Sequence, residues 1–412
     1  MQRAVAMNNP LPVLFTHYGE DWIRGSEALL LDLLAALDKS LIQPVVWCNA
    51  PAMEKASREA GYPTYRSDFQ YYLDYDSPRL SPRDYAASVR MGRSLCREHG
   101  IRVLHANSAA PVQFLVPVGF SERVPVLAHL HIDYLRRSRY ALLLHAATLI
   151  VGVSRQVNDG PIADGMAPER TKVIYNGIDF SRFPPAAGNL RAKLGISDDA
   201  PVITTAGSLI ERKGHDVLLR AFQALPEVPV KPHLLIPSDG PVRESLKALA
   251  VSLGVADRVH FLGYIDNIPA LYQTADIFAL ASRGDAFGLV LAEAGHFRLP
   301  AVSTRVGGIP EVVLDGKTGL LVPPDDVPAL SAALARLLGD EALRRRLGDA
   351  AAERVDRDFT VERMARQFEE TYASLAAIPR TSLGWGGVFQ GLRPYTRLVS
   401  QFGKASPPRY QV

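Results

Sequence analysis

The stretch SRGDAFGLVLAEAGHFRLPAVSTRVGGIPE, residues 282–311, constrains fold and function more than any other part of the chain. It runs from a loop holding Asp285, through Phe287-Gly288-Leu289, into an apolar helical run that carries Glu293. A short apolar strand at 300–303 and a Gly307-Gly308 turn follow, ahead of Pro310-Glu311. A helix beginning near Gly288 would present unpaired backbone N–H groups at 287–289, and together with the helix dipole these attract phosphate. Glycine lets that backbone approach a ligand closely. Glu293 comes five residues after Gly288, roughly 7–8 Å along the axis at about 1.5 Å per residue. Acids on either side of the helix start can thus address the two ends of a nucleotide-like ligand. A loop acid and a solvated helix glutamate would leave the same signature.

Outward from this stretch, strand-like and helix-like runs alternate in both directions. In the second half, apolar strands are expected at 201–206, 233–236, 259–262, 277–281 and 320–323, with helices at 215–225, 243–253, 269–274 and within 327–351. In the first half, strands are expected at 12–17, 44–48, 103–106, 124–131, 147–153 and 172–175, with helices at 27–37, 53–60 and 85–99. Such alternation predicts doubly wound, mostly parallel sheets, whose ligands bind beyond the carboxyl ends of the strands. The residues to watch are therefore those just after each strand, among them 18–26, Asn107, His131 and Asn176. Asn176-Gly177, then Pro184-Pro185 and a small polar stretch, read as a turn and linker.

The expected organisation is an N-terminal Rossmann-like domain over 1–183, a C-terminal one over 184–358, a helix at 359–377 packing back towards the first domain, and a tail at 378–412. That tail contains no Asp or Glu and interleaves Arg380, Arg393, Arg397, Lys404 and Arg409 with aromatic residues, a composition that suits an anionic membrane surface or a tail packed on the body.

With 412 residues, 47% hydrophobic and 22% charged, the composition is that of a globular protein of two domains. A net charge of +3 argues against a nucleic-acid partner. Two cysteines form no disulfide framework or metal spacing, no run is long enough to span a bilayer, and a cytoplasmic setting, with attachment at the inner membrane face open, is expected. No metal site is expected, since HExxH and cysteine pairs are absent. GxGxxG after the first strand, a P-loop and a GxSxG elbow are also missing. Lys213, in the loop 207–214 between strand and helix, can neutralise a diphosphate leaving group or be a solvated loop lysine.

Nine segments in order carry a resemblance: RGSEALLLDLLAAL, VLAHLHIDY, VGVS, VIYNGIDFSRF, AGSLIERKGHDVLLRAF, SDGPVRESL, VHFLGYI, DAFGLVLAEA and VGGIPEVVLDGKTGLLVPPDD. From about Val13 to Tyr372 the chain resembles the retaining glycosyltransferases of family 4. The resemblance implies a GT-B fold, two facing Rossmann-like domains with a cleft between them, and an enzyme of the hexosyltransferase type. It maps the family's acid–x7–acid motif onto Asp285, beside the donor sugar, and Glu293, on the ribose hydroxyls. It places the backbone of Phe287, Gly288 and Leu289 on sugar and diphosphate, Lys213 on phosphate, His131 near the transferred sugar, and Gly25 in the first-loop glycine pair. The chain departs from the family at three points. The first acid, usually Glu, is Asp285; an arginine partner of the lysine is replaced by Ser208; and the other first-loop glycine is Arg24. Arg24 or Arg212 can restore the missing charge.

The function implied is metal-independent, cofactor-free transfer of a sugar from a nucleotide-sugar, UDP-linked before GDP-linked, to a glycan, lipid-linked or small-molecule acceptor, with retention, in cell-surface polysaccharide or glycoconjugate synthesis. A nucleotide-sugar-binding subunit with weak catalysis, or an epimerase, remains the alternative. On the acceptor side, the aromatic loop 69–75, with Tyr71 and Tyr72, can stack on sugar rings or pack internally. Arg136, Arg137 and Arg139 ahead of Leu142-Leu143-Leu144 can face a lipid diphosphate or simply be a solvated basic face.

Overall fold

The computed structural model describes residues 9–23, 25–73, 81–183, 190–227, 229–265 and 267–383. Arg24, the core of the linker at 184–189, the end of the aromatic loop and the basic stretch beyond 383 lie outside them. The chain divides into two compact units, one from Met1–Ile174 with Met364–Val412 and the other Tyr175–Arg363.

The first unit is built on seven strands: β1 (Leu11–His17), β2 (Ile42–Cys48), β3 (Thr64–Arg66), β4 (Val103–Asn107), β5 (Val126–Leu130), β6 (Leu149–Gly152) and β7 (Thr171–Val173). They lie in the order β3-β2-β1-β4-β5-β6-β7 with every neighbouring pair parallel. The second unit has six: β8 (Val202–Thr204), β9 (His233–Pro237), β10 (Val259–Gly263), β11 (Ile277–Leu280), β12 (Ala301–Thr304) and β13 (Gly319–Val322). Their order is β10-β9-β8-β11-β12-β13, again all parallel. β4, β5, β8 and β11 are buried at every position, which is why they read as mostly apolar runs and not as apolar–polar alternation: helices cover both faces of a parallel sheet. Strand order reverses between β1 and β4 and again between β8 and β11, and each reversal opens a crevice at the carboxyl ends of those strands.

Three helices of the first unit escaped the periodicity reading, the six-residue Arg136–Ala141 among them. Val112–Glu122 (VQFLVPVGFSE) is apolar almost all round and contains Pro117, so it has no polar face to produce a 3.6-residue signal. Arg155–Ala163 is short and also contains a proline, Pro161. The three-residue β3 was likewise not expected. The helix Val361–Ala376 does bury the side marked by Phe368 and Tyr372, both at 0% exposure. The Tyr372 ring stands edge-on to Phe15 of β1 at 5.8 Å, and its hydroxyl lies 2.7 Å from His105 Nδ1 of β4. Cys48 and Cys96 are buried free thiols, each pushed up to about 12 by that burial, and so are poor nucleophiles. Among the described residues, no helix is long and apolar enough to cross a membrane.

Phe368 packs against His105, His129 and Tyr372 at ring-centroid distances of 5.4, 4.9 and 5.7 Å. Its truncation to Ala is expected to cost about 3–5 kcal/mol. A lowered urea midpoint, followed by the fluorescence of the buried Trp47 in the same unit, is the measurement; Phe368→Leu should recover most of the loss.

Candidate active site

In the second unit, the loops leaving β8 and β11 flank the strand-order reversal and are stitched together. Arg283 N donates to Arg212 O at 2.8 Å, and Arg212 Nη1 donates to Gly284 O at 2.6 Å. Arg283 makes a fork of two bonds, 2.9 and 2.8 Å, to Asp216, and also donates to Glu211 O. Gly214, at φ +63°, lies against Ala281, and a Cβ there would collide with the Ala281 carbonyl oxygen. At the centre of this seam the Lys213 ammonium meets Asp285 Oδ2 at 2.6 Å, with 14% and 13% of the two side chains exposed. Ser208 is exposed in the same loop. Lys213 and Asp285, 72 residues apart, thus form one feature, and Arg212 serves as a loop brace.

Gly288 starts the helix Leu289–His296 with φ +91°, a conformation open to glycine and strained for other residues. Of the three N–H groups expected to be unpaired, that of Phe287 is taken: it donates to Asp285 Oδ1 at 3.2 Å. Those of Gly288 and Leu289 stand at the helix start, without intrahelical acceptors. The Phe287 ring is 3% exposed and packs between Tyr175 (5.9 Å) and Phe359 (5.5 Å), so it anchors the loop from beneath. A second brace comes from the turn after β12. Gly308 N donates to Asp285 O at 2.9 Å, and a Cβ on Gly307 (φ +55°) would collide with that same oxygen.

Glu293 has a partner that the sequence did not reveal. The Tyr272 hydroxyl donates to its Oε2 at 2.8 Å, from a ring that is 1% exposed and lies 5.3 Å from Phe297. Burial raises the Glu293 carboxyl above its ordinary value, while the Tyr272 bond and the nearby Arg182 pull it partly back.

In the first unit, the reversal between β1 and β4 gathers polar groups of another kind. His17 ends β1, Asn107 ends β4, and His131 follows β5. Asn107 Nδ2 lies 2.9 Å from His17 Nδ1, His131 Nε2 lies 3.0 Å from Asn107 Oδ1, and His17 Nε2 lies 3.1 Å from Glu27 Oε1. The His129 ring is 4.2 Å from that of His131 and 5.4 Å from that of His105. Burial, with His17 alongside, brings the His131 imidazole down to about 3, and burial holds His105 to about 3 and His129 well below the ordinary value. All three are therefore neutral at neutral pH. The histidines are scattered in sequence but cluster in space, although no group of three or more ligating side chains among the described residues could hold a metal ion. Gly25, at φ +42°, opens the helix Gly25–Ala36 with nothing near its Cβ position.

Residues 187–354 match the family model described as glycosyl transferases group 1, and residues 23–182 match that described as glycosyltransferase family 4. Over 335 residues the chain is 31% identical to a GDP-mannose-dependent alpha-(1-6)-phosphatidylinositol monomannoside mannosyltransferase of Mycolicibacterium smegmatis, covering 76% of this chain and 84% of that protein. The chain belongs to glycosyltransferase family 4. A D-inositol 3-phosphate glycosyltransferase of Corynebacterium urealyticum is 35% identical over 210 residues, 48% of this chain and 50% of the relative. Among solved structures, Anabaena HepE in complex with UDP matches with a TM-score of 0.76 at 23% identity, over 88% of this chain and 100% of that one. The lipopolysaccharide outer core galactosyltransferase WaaB in its apo form gives 0.73 at 16% identity, over 89% and 100%. The two parallel-sheet Rossmann-like units are those of the GT-B fold, and the protein is a hexosyltransferase.

For this family 4 glycosyltransferase, the acceptor-side expectations need correction. Tyr72 is 1% exposed; its ring stands edge-on to Tyr85 at 5.7 Å, its hydroxyl meets Ser88 Oγ at 3.1 Å, and its N–H donates to Gln113 at 3.0 Å. It is core and offers no face to a sugar. Tyr71 is partly exposed and lies edge-on to Tyr18 at 4.9 Å. Nor do the three arginines form one solvated face. Arg136 reaches Asp164 at 3.1 Å, and Arg139, 8% exposed, reaches the same carboxylate at 2.7 Å, while Leu142 and Leu144 are fully buried. Arg137 is exposed.

Because burial raises the Glu293 carboxyl, the folded protein takes up a proton there at higher pH than the unfolded chain does. Ionisation then costs stability as pH rises through the raised value, and the cost is relieved as pH falls below it. Glu293→Gln keeps an acceptor for Tyr272 and is expected to melt about 1–3 °C higher at pH 7. The difference should shrink as pH falls towards the ordinary carboxylate range in a pH series of thermal melts.

Proposed function

We propose that this hexosyltransferase moves a sugar from a nucleoside diphosphate to an acceptor hydroxyl with retention at the anomeric carbon and without a metal. The observation that carries the reading is the Lys213–Asp285 pair, 2.6 Å apart at the β8/β11 reversal, beside the helix start at Gly288. An entering diphosphate would meet Lys213 and the N–H groups of Gly288 and Leu289, and these supply the positive charge that a leaving diphosphate needs. Asp285, released from Lys213, would address the sugar, and Glu293, held by Tyr272, the ribose. In a front-face displacement the acceptor oxygen bonds to the anomeric carbon from the side on which the bond to diphosphate breaks. The acceptor's proton passes to the departing phosphate oxygen.

GDP-mannose is the first donor to test, since the mannosyltransferase relative that uses it matches 84% of its own length. UDP-sugars form the second arm, and a lipid-linked acceptor at an anionic membrane surface is proposed from the lipid acceptor of that same relative.

A panel of GDP-, UDP- and ADP-hexoses should identify one donor that turns over with acceptor present and EDTA added, giving a product whose anomeric configuration by NMR matches the donor's. Binding without turnover of any donor, or product formed without acceptor, would reject transfer in favour of a binding subunit or an epimerase. Glu293→Ala is expected to raise donor KM about 10- to 100-fold, as for loss of a charged hydrogen bond worth about 1.5–3 kcal/mol. Asp285→Ala should mainly lower kcat, by about 100-fold. Wild-type kinetics in both variants would remove the site assignment.

A further inference from the structure

A buried imidazole at the second unit's reversal is left without a partner. His215 opens the helix His215–Gln223, two residues after Lys213, and is 2% exposed. Neither of its ring nitrogens makes a hydrogen bond. Burial above all holds the imidazole down to about 4, and the Lys213 charge lowers it further. The ring is therefore neutral at neutral pH, with one N–H to donate and one lone pair. Such orphaned groups are rare in protein interiors, because their desolvation is not recovered. Thr205 and Ser282, on either side of the same reversal, also bury hydroxyls without partners.

The turn Gly207-Ser208 holds the missing acceptor. Its backbone, at Ser208 more than at Gly207, favours the protonated imidazole. Only a nearby carbonyl has that effect, since a backbone N–H opposes it. Ser208 O spends one lone pair on Ile210 N at 2.9 Å, which leaves the second for the ring. The turn is also coupled to the lysine. Gly207 stands at φ +117°, and a Cβ there would lie 3.4 Å from Lys213 Cε and 3.8 Å from its Nζ, so the lysine arm runs along the turn. The end of that arm is drawn to Asp285.

We propose that His215 is a positioning residue for the diphosphate loop: as Lys213 leaves Asp285 for a diphosphate and the Gly207-Ser208 turn follows its arm, the His215 N–H closes on the Ser208 carbonyl and holds the loop in that arrangement. The inference rests on the nucleotide-sugar reading of this loop. A histidine used in this way costs stability before binding and strengthens the bound form, so its removal should move affinity down and leave stability intact. A merely structural histidine would do the reverse.

The test is calorimetric binding of GDP, UDP and ADP to the full-length protein, with thermal melts recorded in the absence of nucleotide. His215→Leu should weaken binding of whichever nucleotide the wild type takes by about 10-fold, as for the loss of one hydrogen bond. Without nucleotide it should melt no lower than the wild type. His215→Asn, which keeps an N–H, should bind within about 3-fold of the wild type. In the wild type, the His215 ring N–H proton, assigned by its loss in His215→Asn, should move downfield in NMR on saturation with that nucleotide, and this decides the matter should His215→Leu fail to fold. Wild-type affinity in His215→Leu, a folded His215→Leu that melts lower, or an unshifted ring proton would overturn the proposal. Failure of the wild type to bind any of the three nucleotides would defeat the nucleotide-sugar reading itself, and this inference with it.

Discussion

The 2.6 Å contact between Lys213 and Asp285 is the interaction around which the loops at the second unit's strand-order reversal are arranged. It joins loops that leave β8 and β11, the two strands between which sheet order reverses. Such loops have no covalent reason to stay together, and an unpaired lysine and aspartate, each largely withdrawn from water, would be costly. The surrounding braces hold the two loops in register: Arg283 on Asp216, Arg212 on Gly284 O, and Gly214 against Ala281. What results is a lysine and an aspartate from two separate loops held against each other in a largely buried pair.

The first unit's reversal has a different composition. It collects imidazoles, one amide and one buried carboxylate, joined by hydrogen-bond contacts. The contrast follows from composition at the strand ends, where β8 and β11 lead to Lys213 and Asp285 while β1, β4 and β5 lead to His17, Asn107 and His131.

The sequence made the parallel sheets readable because their strands are buried on both faces and so appear as short apolar runs between amphipathic helices. The loop positions of Asp285, Lys213 and His131 were readable because each comes shortly after an apolar strand, and that of Glu293 because it lies within an apolar helical run. What could not be read depended on distant partners. Tyr272 lies 21 residues before Glu293 and meets it only through the packing of two helices. Arg139 looked solvated because Asp164, its buried partner, is 25 positions away. Tyr72 looked like a stacking platform until Gln113 and Ser88, 41 and 16 residues on, claimed its polar atoms. The helix Val112–Glu122 was hidden by its own burial, since a segment wrapped in core has no polar stripe to betray its period.

The aromatic seat of Phe287 links this chemistry to the mechanics of the chain. Tyr175 and Phe359, which hold the Phe287 ring, lie where the polypeptide enters and leaves the second unit, and the two passages are themselves tied by Ile178 N donating to Phe359 O at 2.9 Å and Val361 N donating to Ile178 O at 3.2 Å. The backbone of Phe287 is in turn bonded to Asp285. The Phe287 ring, tilted on Tyr175 and edge-on to Phe359, thus connects both passages to a position two residues from the acid that partners Lys213. Substitutions at Tyr175 or Phe359 would act as changes of stiffness, altering how firmly the charged pair is held while leaving its chemistry untouched.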